Sequence, residues 1–507
     1  MGERRIFVTV FKFIIFIFWT MFQFVAIALV FNSFNISLLY YFAFFEIISA
    51  IFVIHLNYKD KNSSYKISWI VLILLIPIVG VLIYIFSRIG IKRNFNKINK
   101  INLNKDVFPK EDQDMLSSFK RENKIRYNET RLIKNISDYG AYANTKVDYF
   151  SSGEDMYKKL LEELKKAKKF IFLEYFIISK SKMWDEIFQI LKEKSKSGVE
   201  VRVLVDYVGS LVVLPKNFKK SLKANNIKLK IFNPFKIILN FMLNYRDHRK
   251  ITIIDGKVAF TGGINIGDEY INRYKKYGYW KDMAVCLEGE AVYSFTLMFL
   301  RMWQSLSKKK EDFSKYKISH KLEESQGIVM PYNSGPTKYD GTAEYVYLSI
   351  INSAKDYIYI TTPYLIIGYE MTLALSLAAK RGVDVRIITP FIPDKKIVQI
   401  LTRSHYDKLL DSGVKIYEYT PGFIHGKTFV SDGECAVVGT INLDYRSLYL
   451  HFECATYLYN VPIIDDIYKD FLRTIKVSKK IDKDVWKKRS ISKKIVESIL
   501  RMFAPLM

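Results

Sequence analysis

Two short stretches of the 507-residue sequence carry side chains whose types and spacing suit displacement at phosphorus. His248-Arg249-Lys250 runs through four residues to Asp255-Gly256, and His425-Gly426-Lys427 runs through four to Asp432-Gly433, so both read H-x-K-x4-D-G. The register continues to Gly262 and Asn265 in one copy and Gly439 and Asn442 in the other, at a constant offset of 425 − 248 = 177 residues. The chain has only six histidines, and two of them open these stretches. A lone H-x-K is commonly a surface strand with a chance histidine; two copies in register are a specific signal. Residues two apart on a strand project from one face, so each copy sets an imidazole beside an ammonium. If the two copies pack with pseudo-symmetry, one imidazole can attack phosphorus while the other protonates the leaving oxygen. Lys250, Lys427, Asn265 and Asn442 would then offset charge on the equatorial oxygens. That chemistry calls for no metal and no cofactor. The candidate catalytic set is His248, Lys250, Asp255, His425, Lys427 and Asp432. Within it, Asp255 and Asp432 suit a structural task ahead of Gly256 and Gly433.

The elements that must position these residues repeat as well. A helical period over residues 157–169 leads into FIFLEYFII at Phe170, and a second over 184–197 leads through Gly198 into VEVRVLVDYV. Later, Asn352-Ser353-Ala354 precedes YIYITTPYLI at Tyr357, and a helix ending at Arg381 leads through Gly382 into VDVRIITPF. The matched positions lie 354 − 167 = 187 and 382 − 198 = 184 residues apart. The pattern predicts two diverged copies of one α/β unit in tandem.

Composition narrows the partner. The 78 Lys and Arg exceed the 51 Asp and Glu by 27, which favours a polyanion: nucleic acid or an acidic phospholipid surface. Half of the residues are apolar, which excludes a disordered chain. Three dispersed cysteines, Cys286, Cys435 and Cys454, fit neither a zinc site nor a disulfide framework. Apolar runs over residues 13–31, 36–56 and 69–86 approach the length of a bilayer crossing, so N-terminal transmembrane helices are expected. Their flanking charges conflict. Arg4, Arg5 and Lys12 place the amino end in the cytoplasm, yet Arg88, Lys92, Arg93 and Lys97 place the flank of the third run there too. Either the first run does not span, or the third, with Pro77 and Gly80, is re-entrant or interfacial, or the charge rule fails at one loop. The large C-terminal part is expected on the cytoplasmic face.

The paired stretches resemble the duplicated HKD motifs of the phospholipase D superfamily. Over nearly the whole chain the sequence is similar to its bacterial cardiolipin synthase family. The likeness rests on residues 66–86 with Pro77-x-x-Gly80, LEYFII at Leu173, GVEVRVLVDYVGS at Gly198 and NYRDHRK at Asn244. TPYL at Thr362, RGVDVRIITP at Arg381 and GTINLDYRSLYLHFE at Gly439 extend it. His451 departs from the family's usual L-N-F-E. The resemblance implies tandem pseudo-symmetric phospholipase D-like α/β sandwich domains. It also implies transfer of a phosphatidyl group between two phosphatidylglycerol molecules through a phosphatidyl-histidine, giving cardiolipin and glycerol. It assigns His248 as nucleophile and His425 as acid and then base, with the reverse order open. Asp282 in Trp280-x-Asp282, and Glu453, match the acidic partners that fix the imidazole tautomers.

The expected organisation is a membrane segment (1–90), a polar linker (91–134), a first domain (135–312), a second linker (313–335), a second domain (336–478) and a basic amphipathic tail (479–507). In that tail Ile491, Ile495, Val496, Ile499, Leu500 and Phe503 share a helical face behind Lys479, Lys480, Lys487, Lys488 and Arg489. Attachment to an anionic bilayer and docking on the catalytic core both suit it. Residues 235–245 form another apolar stretch, suited to a buried helix or a dip into lipid. A phospholipase D, or a transferase using another alcohol, shares the covalent intermediate and is the alternative reading. A nuclease would explain the charge but not the apolar runs, so nucleic acid is not the expected partner.

Overall fold

A computed structural model describes residues 29, 38–58, 63–89, 107–108, 111–210, 213–233, 245–307, 310–318, 326–336 and 341–506. The chain forms two compact units, Met1–Ile91 with Pro505–Met507, and Lys92–Ala504.

In the first unit, helices Leu38–Tyr58, Ser63–Leu75 and Pro77–Ile89 enclose a small core of Leu56, Trp69, Ile73, Val81 and Tyr84. The third apolar run does not make one long helix. Pro77 has no amide hydrogen and disfavours helical geometry at Ile76, which divides the run into two 13-residue helices. Gly80 lets those helices meet, because a Cβ there would lie 2.7 Å from the Leu72 carbonyl oxygen. Among the described residues no helix is long and apolar enough to cross a membrane. The expected N-terminal transmembrane helices are corrected to that extent. The run at 13–31 falls, apart from residue 29, outside the described residues, as do Arg4, Arg5, Lys12, Lys92, Arg93, Lys97 and most of 235–245.

The second unit holds the repeat. Its first half contributes β1 (Thr145–Phe150), β2 (Phe170–Tyr175), β3 (Glu200–Asp206), β4 (Lys228–Phe232), β5 (Lys250–Ile254), β6 (Val258–Gly262), β7 (Tyr279–Lys281) and β8 (Ala284–Gly289). The second half contributes β9 (Ile328–Ser334), β10 (Tyr357–Thr361), β11 (Leu365–Ile366), β12 (Asp384–Pro390), β13 (Lys415–Tyr419), β14 (Gly422–Ile424), β15 (Thr428–Ser431), β16 (Cys435–Gly439), β17 (Leu443–Asp444), β18 (Glu453–Tyr459) and β19 (Ser478–Lys480). One sheet has the order β1-β8-β6-β5-β2-β3-β4; the other, read from β9, runs β9-β18-β16-β15-β10-β12-β13 and adds β19. Strand for strand the two orders match. Each sheet is parallel on its crossover side (β2-β3-β4, β10-β12-β13) and antiparallel on its motif side. The α/β fold with two sheets, predicted from the repeat, is present.

Local chemistry explains the recurrence. Crossover strands such as β2 are buried along their whole length, which is why they read as continuous apolar runs and not as alternating ones. Gly198 and Gly382 take φ of +88° and +97° at the two helix-to-strand turns, a left-handed geometry that side chains resist. Helices Gln113–Glu122 and Lys124–Ser137, in the stretch expected to be a polar linker, send Phe119 and Ile133 into the core of the second half.

Candidate active site

The two motif histidines occupy equivalent places on facing strand ends, held there by an exchange between the halves. The His248 amide donates to the Phe452 carbonyl at 2.9 Å, and the His425 amide donates to the Lys281 carbonyl at 2.7 Å. β7 of the first half pairs in parallel with β14 of the second, and Asp247 bridges to Phe452. Each histidine is therefore fixed by the segment that carries its acidic partner in the other half.

The side chains complete the exchange. His248 Nδ1 lies 2.9 Å from Glu453 Oε1, and His425 Nδ1 lies 2.7 Å from Asp282 Oδ2. A carboxylate partner assigns the proton to Nδ1 in both rings and leaves each Nε2 with a free lone pair. Asp282 and Glu453 are fully buried, while the histidines keep 8% and 7% of their surface exposed, enough to meet a substrate. Both carboxylates are braced. Asp282 accepts from the Met283 amide at 2.9 Å and from Trp280 Nε1 at 3.3 Å, and Glu453 Oε2 accepts from Thr440 Oγ1. Lys250 Nζ donates to the His248 carbonyl at 2.5 Å, and Lys427 Nζ donates to that of His425.

Burial sets the charge states. It pushes His248 down to about 3 and His425 to about 4, with the neighbouring Lys250 and Lys427 adding to the effect, so both imidazoles rest neutral. The same burial lowers Lys250 to about 8 and Lys427 to about 7, although Glu453 and Asp282 oppose it. Lys250 of the first half also bears on His425 of the second, as expected of one shared site. Burial alone would raise Glu453; His248, His451 and Lys250 outweigh it and hold the carboxyl ionised. The result is two neutral nucleophilic nitrogens and two easily discharged ammonium groups at buried positions, an arrangement suited to a phosphodiester anion.

The structure does not bring every expected residue here. Asp255 and Asp432, expected in the catalytic set but suited to a structural task, sit at the far ends of β5 and β15, away from the histidines. Asp255 accepts from the amides of Lys168, Lys169 and Phe170 at 2.6–2.9 Å, and Asp432 from those of Lys355, Asp356 and Tyr357 at 2.9–3.1 Å. Each ties a helix-to-strand turn to its motif strand. Asn265 has its amide engaged with the Ile177 N–H and the Tyr270 hydroxyl. Asn442 donates to Asp444 at 3.3 Å, and its Oδ1 is buried without a partner.

Two neighbours, Thr440 and Gly263, escaped the sequence reading. Thr440 braces Glu453, and its counterpart, at 440 − 177 = 263, is Gly263. A Cβ on Gly263 would lie 2.0 Å from Asp282 Oδ1, so the first copy needs a glycine where the second needs a hydroxyl. Both follow the motif glycine directly, the only signal that could have marked them. His451, already marked by its departure from L-N-F-E, also lies here, its ring centroid 5.4 Å from that of His248.

The tandem sheets and the crossed histidine pairs define a protein of the phospholipase D class. The solved phosphatidylserine synthase of Haemophilus influenzae Rd KW20 shares this fold, with a TM-score of 0.56 at 15% identity, covering 75% of this chain and 97% of that one. The family described as "Cardiolipin synthase, PLD-like domain" matches residues 160–303 and 347–475, and one described as "Phospholipase_D-nuclease N-terminal" matches residues 39–88. The chain belongs to the cardiolipin synthase family. It is 35% identical to cardiolipin synthase 2 of Bacillus anthracis, over 89% of this chain and 88% of that one. It is 45% identical to an uncharacterized protein of Streptococcus mutans serotype c, over 90% of this chain and 99% of that one.

Proposed function

We propose that this protein is a phosphatidyltransferase that makes cardiolipin from two molecules of phosphatidylglycerol and releases glycerol. The observation that carries the reading is the crossed pair of imidazoles, each with Nδ1 held by a buried carboxylate and Nε2 free. His248 Nε2 attacks the phosphodiester of the first phosphatidylglycerol; the P–O bond to glycerol breaks, and His425 hands that oxygen its proton. The anionic substrate supplies the field that lets His425 carry the proton despite its burial. Lys250 and Lys427 balance the charge that develops on phosphorus. In the second half-reaction neutral His425 takes the proton of a second phosphatidylglycerol hydroxyl. That oxygen displaces His248, and cardiolipin leaves.

A lipid-side location suits the rest of the molecule. The first unit presents Tyr40, Phe44, Ile47, Ile51 and Ile54 outward at helical spacing, an apolar line fitted to a bilayer. On helix Ile491–Phe503 both expected uses coexist. Leu500 packs against the core, while Ile491, Ile495, Val496 and Ile499 stay exposed beside basic residues. We read the catalytic unit as lying on the cytoplasmic face of an anionic membrane.

Purified full-length protein given phosphatidylglycerol should yield cardiolipin and glycerol by lipid mass spectrometry, and His248→Ala or His425→Ala should each reduce the product to a residual trace. Phosphatidic acid as the sole product would make water the acceptor and sink the transferase reading.

A further inference from the structure

His451 stands beside the site, where it helps to hold Glu453 ionised but has no part in the bond-making steps of the phosphatidyl transfer. It is buried, with 7% of its surface exposed, and neither ring nitrogen has a hydrogen-bond partner. A buried imidazole with both nitrogens unsatisfied is costly, and such a group points to a ligand. Its Nδ1 lies 3.8 Å from Glu453 Oε1, the oxygen that also meets His248 Nδ1 at 2.9 Å. One ligand atom from each of His248, His451 and Glu453 falls within 4.8 Å of the others. Around a tetrahedral zinc with bonds near 2.1 Å, ligand atoms stand about 3.4 Å apart, so small side-chain rotations would close the set. Two imidazoles and a carboxylate suit zinc and its transition-metal neighbours, and they leave one coordination position open.

We propose that His248, His451 and Glu453 form a site for a divalent transition cation of the zinc class, and that filling it switches the enzyme off. A metal ion on Nδ1 of His248 needs the lone pair where the proton now sits. That proton moves to Nε2 of the same ring, and no proton is lost from the neutral imidazole. The Nε2 lone pair is then occupied, and the ring can neither attack phosphorus nor accept a proton. The metal site stands on its own geometry; its inhibitory effect rests on the reading of His248 as a catalytic base or nucleophile.

The test uses full-length protein in detergent, stripped with EDTA and titrated with zinc chloride in equilibrium dialysis with metal analysis. Wild type should bind one zinc per chain in this site. His451→Asn, which restores the family's usual residue, and Glu453→Gln should each weaken binding by about 100-fold or more, beyond what loss of a merely supporting partner costs. Zinc should stop wild-type turnover and EDTA restore it, while His451→Asn keeps turning over in the same zinc. Cobalt(II) provides a reading on the unmutated protein: the intense visible bands of a tetrahedral nitrogen and oxygen site support the proposal, and the spectrum of the solvated ion overturns it. Absence of zinc binding by wild type, equal affinity in both variants, or equal inhibition of His451→Asn would also overturn it. A protein that binds zinc here but makes no cardiolipin would keep the site and refute the proposed function.

Discussion

The motif histidines owe their proposed role to what touches their far nitrogens. Glu453 and Asp282 hold the Nδ1 protons, and burial with the nearby lysines keeps both rings neutral, so the basic Nε2 atoms persist well below neutral pH. The lysines set the opposite limit. Lys427 at about 7 and Lys250 at about 8 lose charge as pH rises, and the free site loses its attraction for a phosphodiester with them. We expect kcat/KM, which reports the free enzyme, to fall as pH rises through about 7 to 8, and kcat to fall later because bound phosphate raises both lysines. A kcat/KM that climbs through that range would contradict these assignments. The Gly263 position is as exacting. Gly263→Ala puts a methyl group onto the Asp282 carboxylate and turns it from His425, so kcat should fall by about 100-fold, the cost of misplacing a reacting group by about 1 Å. A circular dichroism spectrum like that of wild type, measured beside kcat, separates this effect from unfolding. The H-x-K pairs were legible in the chain as chemistry; Thr440 and Gly263 were not, because their meaning lies in which carboxylate packs against them.

At the scale of elements, the motif strand does two jobs at its two ends. The histidine end faces the partner half, and the aspartate end pins the helix-to-strand turn behind it. Asp255 and Asp432 adopt φ of +54° and +56°, and the glycine after each continues the left-handed turn. Asp432 also receives Arg126 at 3.1 Å, from the helix Lys124–Ser137, which joins the expected linker to the second sheet. Removing either carboxylate leaves three turn amides without their acceptor. Asp255→Ala should cost about 3 kcal/mol in denaturant unfolding while kcat per folded molecule stays near wild type. A large loss of kcat with stability unchanged would return Asp255 to the catalytic set. The length of the third apolar run suggests a crossing, yet the cause of its division lies in the sequence, since Pro77 in its middle cannot continue a helix.

The whole molecule is where the crossed histidine–carboxylate pairs exist at all. Each histidine finds its carboxylate in the other half, 205 residues away for His248 and 143 for His425, so neither half owns a complete site. Residues acting as one unit lose activity once, not twice. His425→Ala combined with Asp282→Asn should therefore be no slower than His425→Ala alone, with coupling of the same kind between His248 and Glu453. Rates that multiply across either pair would mean that the halves act separately. By itself the sequence determined the reactive groups, their duplication at a fixed offset and the order of elements within each half. Those features are carried by local spacing, and local spacing sets strand faces, turns and helix breaks. Only the tertiary structure decided that the carboxylates cross between halves, that the motif aspartates stay out of the site, and that His451 shares Glu453 with His248. Contacts between residues far apart in the chain leave no fixed spacing behind, and burial, which sets the charge of every group in the cleft, exists only once the two sheets have packed.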